Sequence, residues 1–414
     1  MIQNMNRNLV KEYLDNIYLV VFSIMIGYYF LGTTTFEIIW PQYFYVNLRT
    51  FLLVIIVAKI AAENNVDYVD ILLGAMAGIV FLVALKHNDY EVLSNIVLLI
   101  VGCRGISFRK VAKTYLIICG VLLFITMVFA LTGRIENFVL NQNGRRTRIA
   151  FGIIYPTDFS AHVFYLILAY CYLRKEKIKY LEIGIITVLG IFVYVFCDAR
   201  LNTICICVTA VIMGYNKIRH DRALKKGRDY SMNSVFSILL CLSTTIASMA
   251  MIGLTLLYSQ NHKLMLILDK VLNNRLRLGK KGIDVYGFSI FGQQIHLIGN
   301  GNKWTTPVNY FFLDSSYLFV SLLYGILVLG VILLLFLIMS FRARKEKDWT
   351  LLWLIALMSL QCIVEHHIMD ISYNVLLWGT LACLKKDVQV NQRTHPTLGI
   401  VKSKLNLWKQ GWQK

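Results

Sequence analysis

Four arginines in this chain stand where a charge has to be accounted for. Arg148 abuts the apolar run IAFGIIY, and Arg200 lies between two apolar runs in CDARLNT. Arg275 and Arg277 sit in the longest polar stretch of the chain, 258–315. Arginine presents a planar, permanently charged fork that fits phosphate in a bidentate way. Three further residues, His296, Asp314 and Glu365, are of types that exchange protons. The chemistry on offer is capture of an anionic, lipid-linked ligand. Glu365, His366, His367 and Asp370 crowd one short turn and are metal-ligand types. The two histidines are adjacent, however, and do not readily aim at one centre, so the cluster reads as a polar helix end or an acid–base site, and no metal is expected. There is no P-loop, GxSxG, HExxH or dinucleotide fingerprint, and no cofactor is expected.

The elements that must position these residues are apolar. Mean hydropathy is +0.61, and only 16% of the 414 residues are charged, against about 25% in soluble domains. The expected fold is all-α, a polytopic integral membrane protein. At roughly 20 apolar residues per crossing, the runs are 16–33, 44–62, 69–86, 91–104, 114–132, 156–173, 180–197, 201–216, 234–257, 316–340, 349–365 and 371–384. That is about twelve transmembrane helices, with one long external loop, 258–315, between the ninth and tenth. Residues 1–384 form the membrane domain, and 385–414 a basic cytoplasmic tail with Trp408 and Trp412. The first run, from Ile17, lacks a cleavage pattern and reads as a retained span. The nine cysteines lie in or beside apolar runs without CxxC spacing, so neither a disulfide framework nor a zinc site is expected.

A net charge of +19 would suggest nucleic acid in a soluble protein. Here lysine and arginine set topology and meet anionic lipid. With a cytoplasmic N-terminus, the cytoplasmic segments hold 28 of the 42 cations and the external ones 14. Both termini are then cytoplasmic, the expected location is the plasma membrane, and nucleic acid is not a partner. Of the external cations, 11 fall in 134–148 and 258–315, a concentration that a binding site for an anionic, membrane-borne ligand would produce.

Local patterns add detail. Pro156 suits the first turn of a helix, where its missing N–H costs nothing, with Thr157 and Asp158 near the positive end of that helix dipole. Arg145, Arg146 and Arg148 cluster just before it. Asp198 and Arg200 share a tight hairpin, where an ion pair and a cavity-facing arginine are compatible readings. Leu264, Leu268, Val271 and Arg275 recur at four-three-four spacing and predict one surface helix with Arg275 ending its apolar stripe. Arg277 would then point to the other side. GFSIFGQQIHLIGNG predicts a tight, turned segment, and Asp314 is placed as a helix N-cap.

Four stretches resemble the Wzy-type polysaccharide polymerases of the O-antigen polymerase and ligase superfamily, in the form found in Gram-positive capsule and exopolysaccharide clusters. RIAFGIIYPTDFSA from Arg148 is similar to an Arg-x-x-Phe-Gly segment followed by a span-opening proline. CDARLNT resembles a span-end arginine, VLNNRLRLG with YGFSIFGQQI an arginine with a downstream Phe-Gly, and LDSSYLFVSLLYG a Leu-Asp-Asn-x-Tyr opening a span that carries Tyr-Gly. The likeness covers about 150–325. Asp158 and Ser315 stand where asparagine is common, and Ala199 where serine is usual.

The resemblance implies a metal-independent glycosyltransferase acting on the external face. It would move a growing glycan from undecaprenyl diphosphate to the non-reducing end of a lipid-linked repeat unit, alongside flippase and chain-length regulator proteins. Arg148, Arg200, Arg275 and Arg277 would bind the diphosphate, and His296, Asp314 or Glu365 would serve as base. A ligase with another acceptor, a lipid-linked oligosaccharide flippase and a structural subunit are the competing readings. A flippase should show internal repeats and charges along a central cavity, and neither is visible.

Overall fold

The computed structural model describes residues 2–37, 42–63, 68–84, 90–141, 146–227, 230–301 and 307–384. Arg145 and the tail 385–414 lie outside the described residues. The first half comprises α1 (Ile2–Leu31), α2 (Gln42–Glu63), α3 (Tyr68–Ala84), α4 (Tyr90–Gly102) and α5 (Phe108–Leu131). A short ribbon, β1 (Val139–Leu140) with β2 (Arg148–Ile149), leads into α6 (Pro156–Arg174), α7 (Tyr180–Cys197) and α8 (Arg200–Lys225). Then come α9 (Ser234–Cys241), α10 (Ser243–Leu256), α11 (Lys263–Val271), α12 (Arg275–Tyr286), α13 (Ser316–Phe319), α14 (Ile326–Lys345), α15 (Trp349–Gln361) and α16 (Val375–Gly379).

Among the described residues, five helices are long and apolar enough to cross a membrane, in α1, α5, α7, α8 and α14. They become six if α9 and α10, bent by 57° at Leu242, count as one span. Among the described residues, twelve helices of full membrane length are not found. α15 has 13 residues, about 20 Å at the helical rise, against a hydrocarbon core of about 30 Å. α6 is buried along most of its length and carries the polar residues Asp158, Ser160 and His162. The outward faces are apolar where lipid would lie: Leu181, Val188 and Ile185 on α7 and Phe124 on α5 are exposed.

Three expected elements differ. The run 316–340 is not one helix. α13 passes into a π-helical turn, Val320–Tyr324, and ends at Gly325 with φ 91° before α14 starts. The backbone of the 287–293 loop occupies the break: Ile326 N–H donates to the Ser289 carbonyl (3.0 Å) and Gln293 N–H to the Leu323 carbonyl (2.9 Å). The stripe from Leu264 to Arg275 is interrupted because Asn273 and Asn274 both adopt positive φ, which asparagine tolerates. Arg275 thus opens α12 instead of closing α11, and Leu264 and Val271 are exposed. The run 371–384 holds only the five-residue α16, yet it is almost wholly buried. Its backbone is satisfied by the protein: Tyr115 Oη donates to the Tyr373 carbonyl (2.6 Å), and the Arg342 guanidinium to the carbonyls of Thr380 (3.0 Å) and Ala382 (2.6 Å). Irregular backbone at membrane depth is tolerated only when covered in this way.

The helices have two chemically distinct ends. At one, basic side chains tie neighbouring segments together. Lys59 bonds Asp15 (2.8 Å) and the Gly102 carbonyl (3.0 Å), Arg109 the Leu173 carbonyl (2.9 Å), Lys175 Asp348 (2.5 Å) and Arg344 Ser237 (2.9 Å). At the other end the turn before α6, the α7–α8 hairpin, α12 and the segment after α15 meet.

Candidate functional site

That second end holds a cavity of about 630 Å³ lined by Arg148, Arg275, Arg277, Asp158, Asp314 and His366, with Tyr155, Tyr310 and several asparagines. The path to Arg148 begins in the ribbon, where Leu140 pairs with Arg148 and Val139 with Ile149. The chain then turns through Phe151 (φ 50°) and Gly152 (φ 81°). A side chain at Gly152 would press on Ile135 and Thr126, each 2.9 Å from its Cβ position. Phe151 is held among Phe159, Phe192 and Phe196. Arg-x-x-Phe-Gly is therefore an arginine at the cavity, an aromatic anchor and a turn. Pro156 follows at the start of α6 as expected, placing Thr157 and Asp158 on the cavity wall.

Arg148 is only 4% exposed. Among the described residues its polar partners are the Cys197 carbonyl (3.1 Å from Nε) and the Tyr155 hydroxyl (3.3 Å from Nη1), with the Tyr155 ring 5.1 Å away; no carboxylate pairs with it. Arg275 is braced differently. Its Nε donates to the Val364 carbonyl (3.2 Å), and its Nη1 to the Asn273 carbonyl (3.1 Å) and Asp314 (2.9 Å). Asp314 is thus an ion-pair partner; the N-cap position falls on Ser315. Burial raises the Asp314 carboxyl above the usual carboxylate range against the pull of Arg275. Arg277 lines the cavity, exposed, and its backbone N–H donates to the buried Asp269 (3.0 Å), which pins α12 to α11.

The remaining expected site residues are not on this wall. Arg200 does not line the cavity; its side chain is 70% exposed and lies 3.4 Å from Asp198, so the ion-pair reading of the hairpin is the one realised. His296 is exposed on the 287–301 loop and does not line the cavity. Glu365 is 4% exposed and sits behind the lining, where its Oε1 accepts from Asn202 (3.3 Å) and its carbonyl from Ser316 Oγ (2.6 Å). Tyr155, Tyr310, Asn273 and Asn274 were not singled out from the sequence. The Asn273–Asn274 pair carried a turn signal, but no local pattern marked the tyrosines.

The turn after α15 is a 3-10 segment, His367–Met369, and it supplies the histidines. His366 lines the cavity. Burial, reinforced by His367, pushes its imidazole down to about 3, so it is neutral at any ordinary pH. The His367 ring is 1% exposed; Nδ1 lies 3.4 Å from Asp370 and Nε2 4.0 Å from Asp158. Its pKa is raised: burial alone acts downward, and Asp370, Asp158 and Glu365 outweigh it. Tyr373 stacks between His367 and His162 at 3.8 Å on both sides. Ligand atoms of Glu365, His366 and His367 all lie within 4.8 Å of one another, closer than their adjacency in sequence suggested.

These features define a helical protein with membrane-length apolar helices and an arginine-lined cavity at one end. No family model, curated protein or solved structure matches the chain.

Proposed function

We propose that the protein is a polysaccharide polymerase that moves a growing glycan from undecaprenyl diphosphate to a lipid-linked repeat unit. One observation carries the reading: among the described residues Arg148 is buried without a carboxylate in ion-pair contact, on the wall of a cavity that Arg275 also lines. An unpaired buried charge costs several kcal/mol, and an anionic ligand offsets that cost. The leaving group of the proposed reaction is a lipid diphosphate, which gains charge as the glycosidic bond breaks. Arginine donors fixed at that point stabilise the transition state more than the ground state. The asparagines and Thr157 offer hydrogen-bond partners of the kind sugar hydroxyls need. The motif likeness over 150–325 supports the same reading.

In this proposal the chain crosses the plasma membrane twelve times, with some crossings short or irregular. The cavity end is external and both termini are cytoplasmic, as the 28-to-14 cation split suggests. Reporter fusions should place Lys225 inside and Lys280 outside; Lys280 in the cytoplasm would put the cavity on the wrong face. Flippase and chain-length regulator proteins are the proposed partners.

Deleting the gene and sizing the lipid-linked glycan tests the function. Accumulated single repeat units are expected. Full-length unattached chains would indicate a ligase, and units trapped inside a flippase. In purified lipid, chain extension should survive EDTA, because in this reading arginines on the cavity wall, and not a metal ion, hold the diphosphate. Loss restored by one divalent ion would instead make Glu365, His366 and His367 a metal site.

A further inference from the structure

The proposed reaction needs a group to take the acceptor proton, and the described carboxylates and imidazoles near the cavity differ in what they are free to do. Asp314 is tied to Arg275 at 2.9 Å, so its carboxylate is already engaged by that arginine. Glu365 lies behind the wall under Asn202. His296 is off the cavity. His366 lines it, but an imidazole pushed down to about 3 is a poor base at neutral pH. Asp158 is the carboxylate that lines the cavity without an arginine partner within ion-pair distance. Behind it stands His367, whose buried Nε2 has no hydrogen-bond partner among the described residues and lies 4.0 Å from Asp158 Oδ1.

Resting on the polymerase reading, we propose that Asp158 is the catalytic base for the acceptor hydroxyl, and that His367, backed by Asp370, is the positioning residue that keeps Asp158 ionised and aimed into the cavity. The arrangement is a carboxylate–imidazole–carboxylate line with its free end on the cavity wall. Its aim is set by packing: the His367 ring lies flat against Tyr373 with an interplanar angle of 14°, and Asp370 is itself held by the Ser372 backbone N–H (3.2 Å) and hydroxyl (3.1 Å). The groups acting on His367 are Asp158 and His162 from α6, Glu365, His366 and Asp370 from its own segment, and Asp314, while Arg275 acts on Glu365, His366 and Asp314, and Arg148 on Asp158. Three nearby carboxylates favour its protonated form, and a protonated His367 opposes the cost that burial places on the Asp158 charge.

The step balances as a displacement. The acceptor oxygen forms the new bond to the anomeric carbon and gives its proton to the Asp158 carboxylate. The bond from that carbon to the diphosphate oxygen breaks, and its electron pair stays on the diphosphate, which remains on the lipid beside Arg148 and Arg275. Asp158 then releases the proton to water in the cavity.

The test uses the full-length protein in lipid, the lipid-linked oligosaccharide that accumulates in a deletion strain as substrate, and undecaprenyl diphosphate as the binding probe. Wild-type protein that does not extend the substrate would remove the polymerase reading itself. If it extends, Asp158→Asn should lower turnover by about 10²–10⁴-fold with undecaprenyl diphosphate affinity unchanged, and Asp158→Glu should recover part of the loss. His367→Gln and Asp370→Asn should each move the acid limb of the rate–pH profile to higher pH. Asp158→Asn turnover within a few-fold of wild type, or no recovery in Asp158→Glu at normal probe affinity, would overturn the assignment of the base. A His367→Gln profile lowered at all pH values with its limbs unmoved would overturn the positioning role.

Discussion

Arg148→Lys is expected to lower chain-extension turnover by about 10²–10³-fold while expression and membrane insertion stay normal. The guanidinium already makes two directional bonds, to the Cys197 carbonyl and the Tyr155 hydroxyl, and in the proposed reaction its remaining N–H groups face the diphosphate. Lysine has no planar fork and cannot make both kinds of contact at once. At a position 4% exposed it also sheds its proton more readily than in water, so charge is lost as well as geometry. Arg275→Lys should act in the same direction, because it loses the Val364 carbonyl and loosens the Asp314 pair. Arg146→Lys and Lys281→Ala are the controls. Both side chains are exposed, over the rings of Tyr194 and Phe311 at 5.0 and 5.3 Å, and neither should change turnover by more than a few-fold. Chain-length profiles of the four variants in a deletion background decide it. Near-normal polymer from both Arg148→Lys and Arg275→Lys would mean that the cavity arginines only steer anionic substrate.

Gly325→Ala is expected to cost the fold instead of the chemistry. At φ 91° and ψ 166° the residue lies in a region open essentially to glycine, which costs other residues about 1–3 kcal/mol. The added Cβ would also collide with the backbone of Ile290 and Gly292. A backbone neighbour cannot rotate away as a side-chain tip can. The loop from Gly287 to Gln293 is hydrogen-bonded to both sides of the break, so it would have to detach or the break would have to straighten. The yield of monodisperse protein after extraction should fall, and the 287–293 loop should become sensitive to protease. The nearby Gly330→Ala meets nothing within 4 Å and should be tolerated. Equal stability of the two variants would show that the break at Gly325 is not a structural requirement.

Local sequence determined the parts of this protein whose cause is local. Apolar runs specify helices with lipid-facing sides because burial at bilayer scale follows composition over about 20 residues. Pro156 opens α6 because its missing N–H costs nothing in a first turn. Arg148 was legible as an arginine held out of bulk water because it directly adjoins an apolar run. Tertiary structure decided the rest. Arg148 and Arg275 share a wall only because the ribbon before α6 and the start of α12 meet at one end of the helices, a contact between segments more than 100 residues apart that no short-range spacing encodes. Two left-handed asparagines ended the helical stripe before Arg275, where side-chain periodicity alone carried it through. The apolar run 316–340 was long enough for one helix, but the returning 287–293 loop takes backbone hydrogen bonds on both sides of Gly325 and divides it. The run 371–384 stayed irregular for a related reason: Tyr115 and Arg342 satisfy its carbonyls from neighbouring helices, so its backbone needs no helix to be buried.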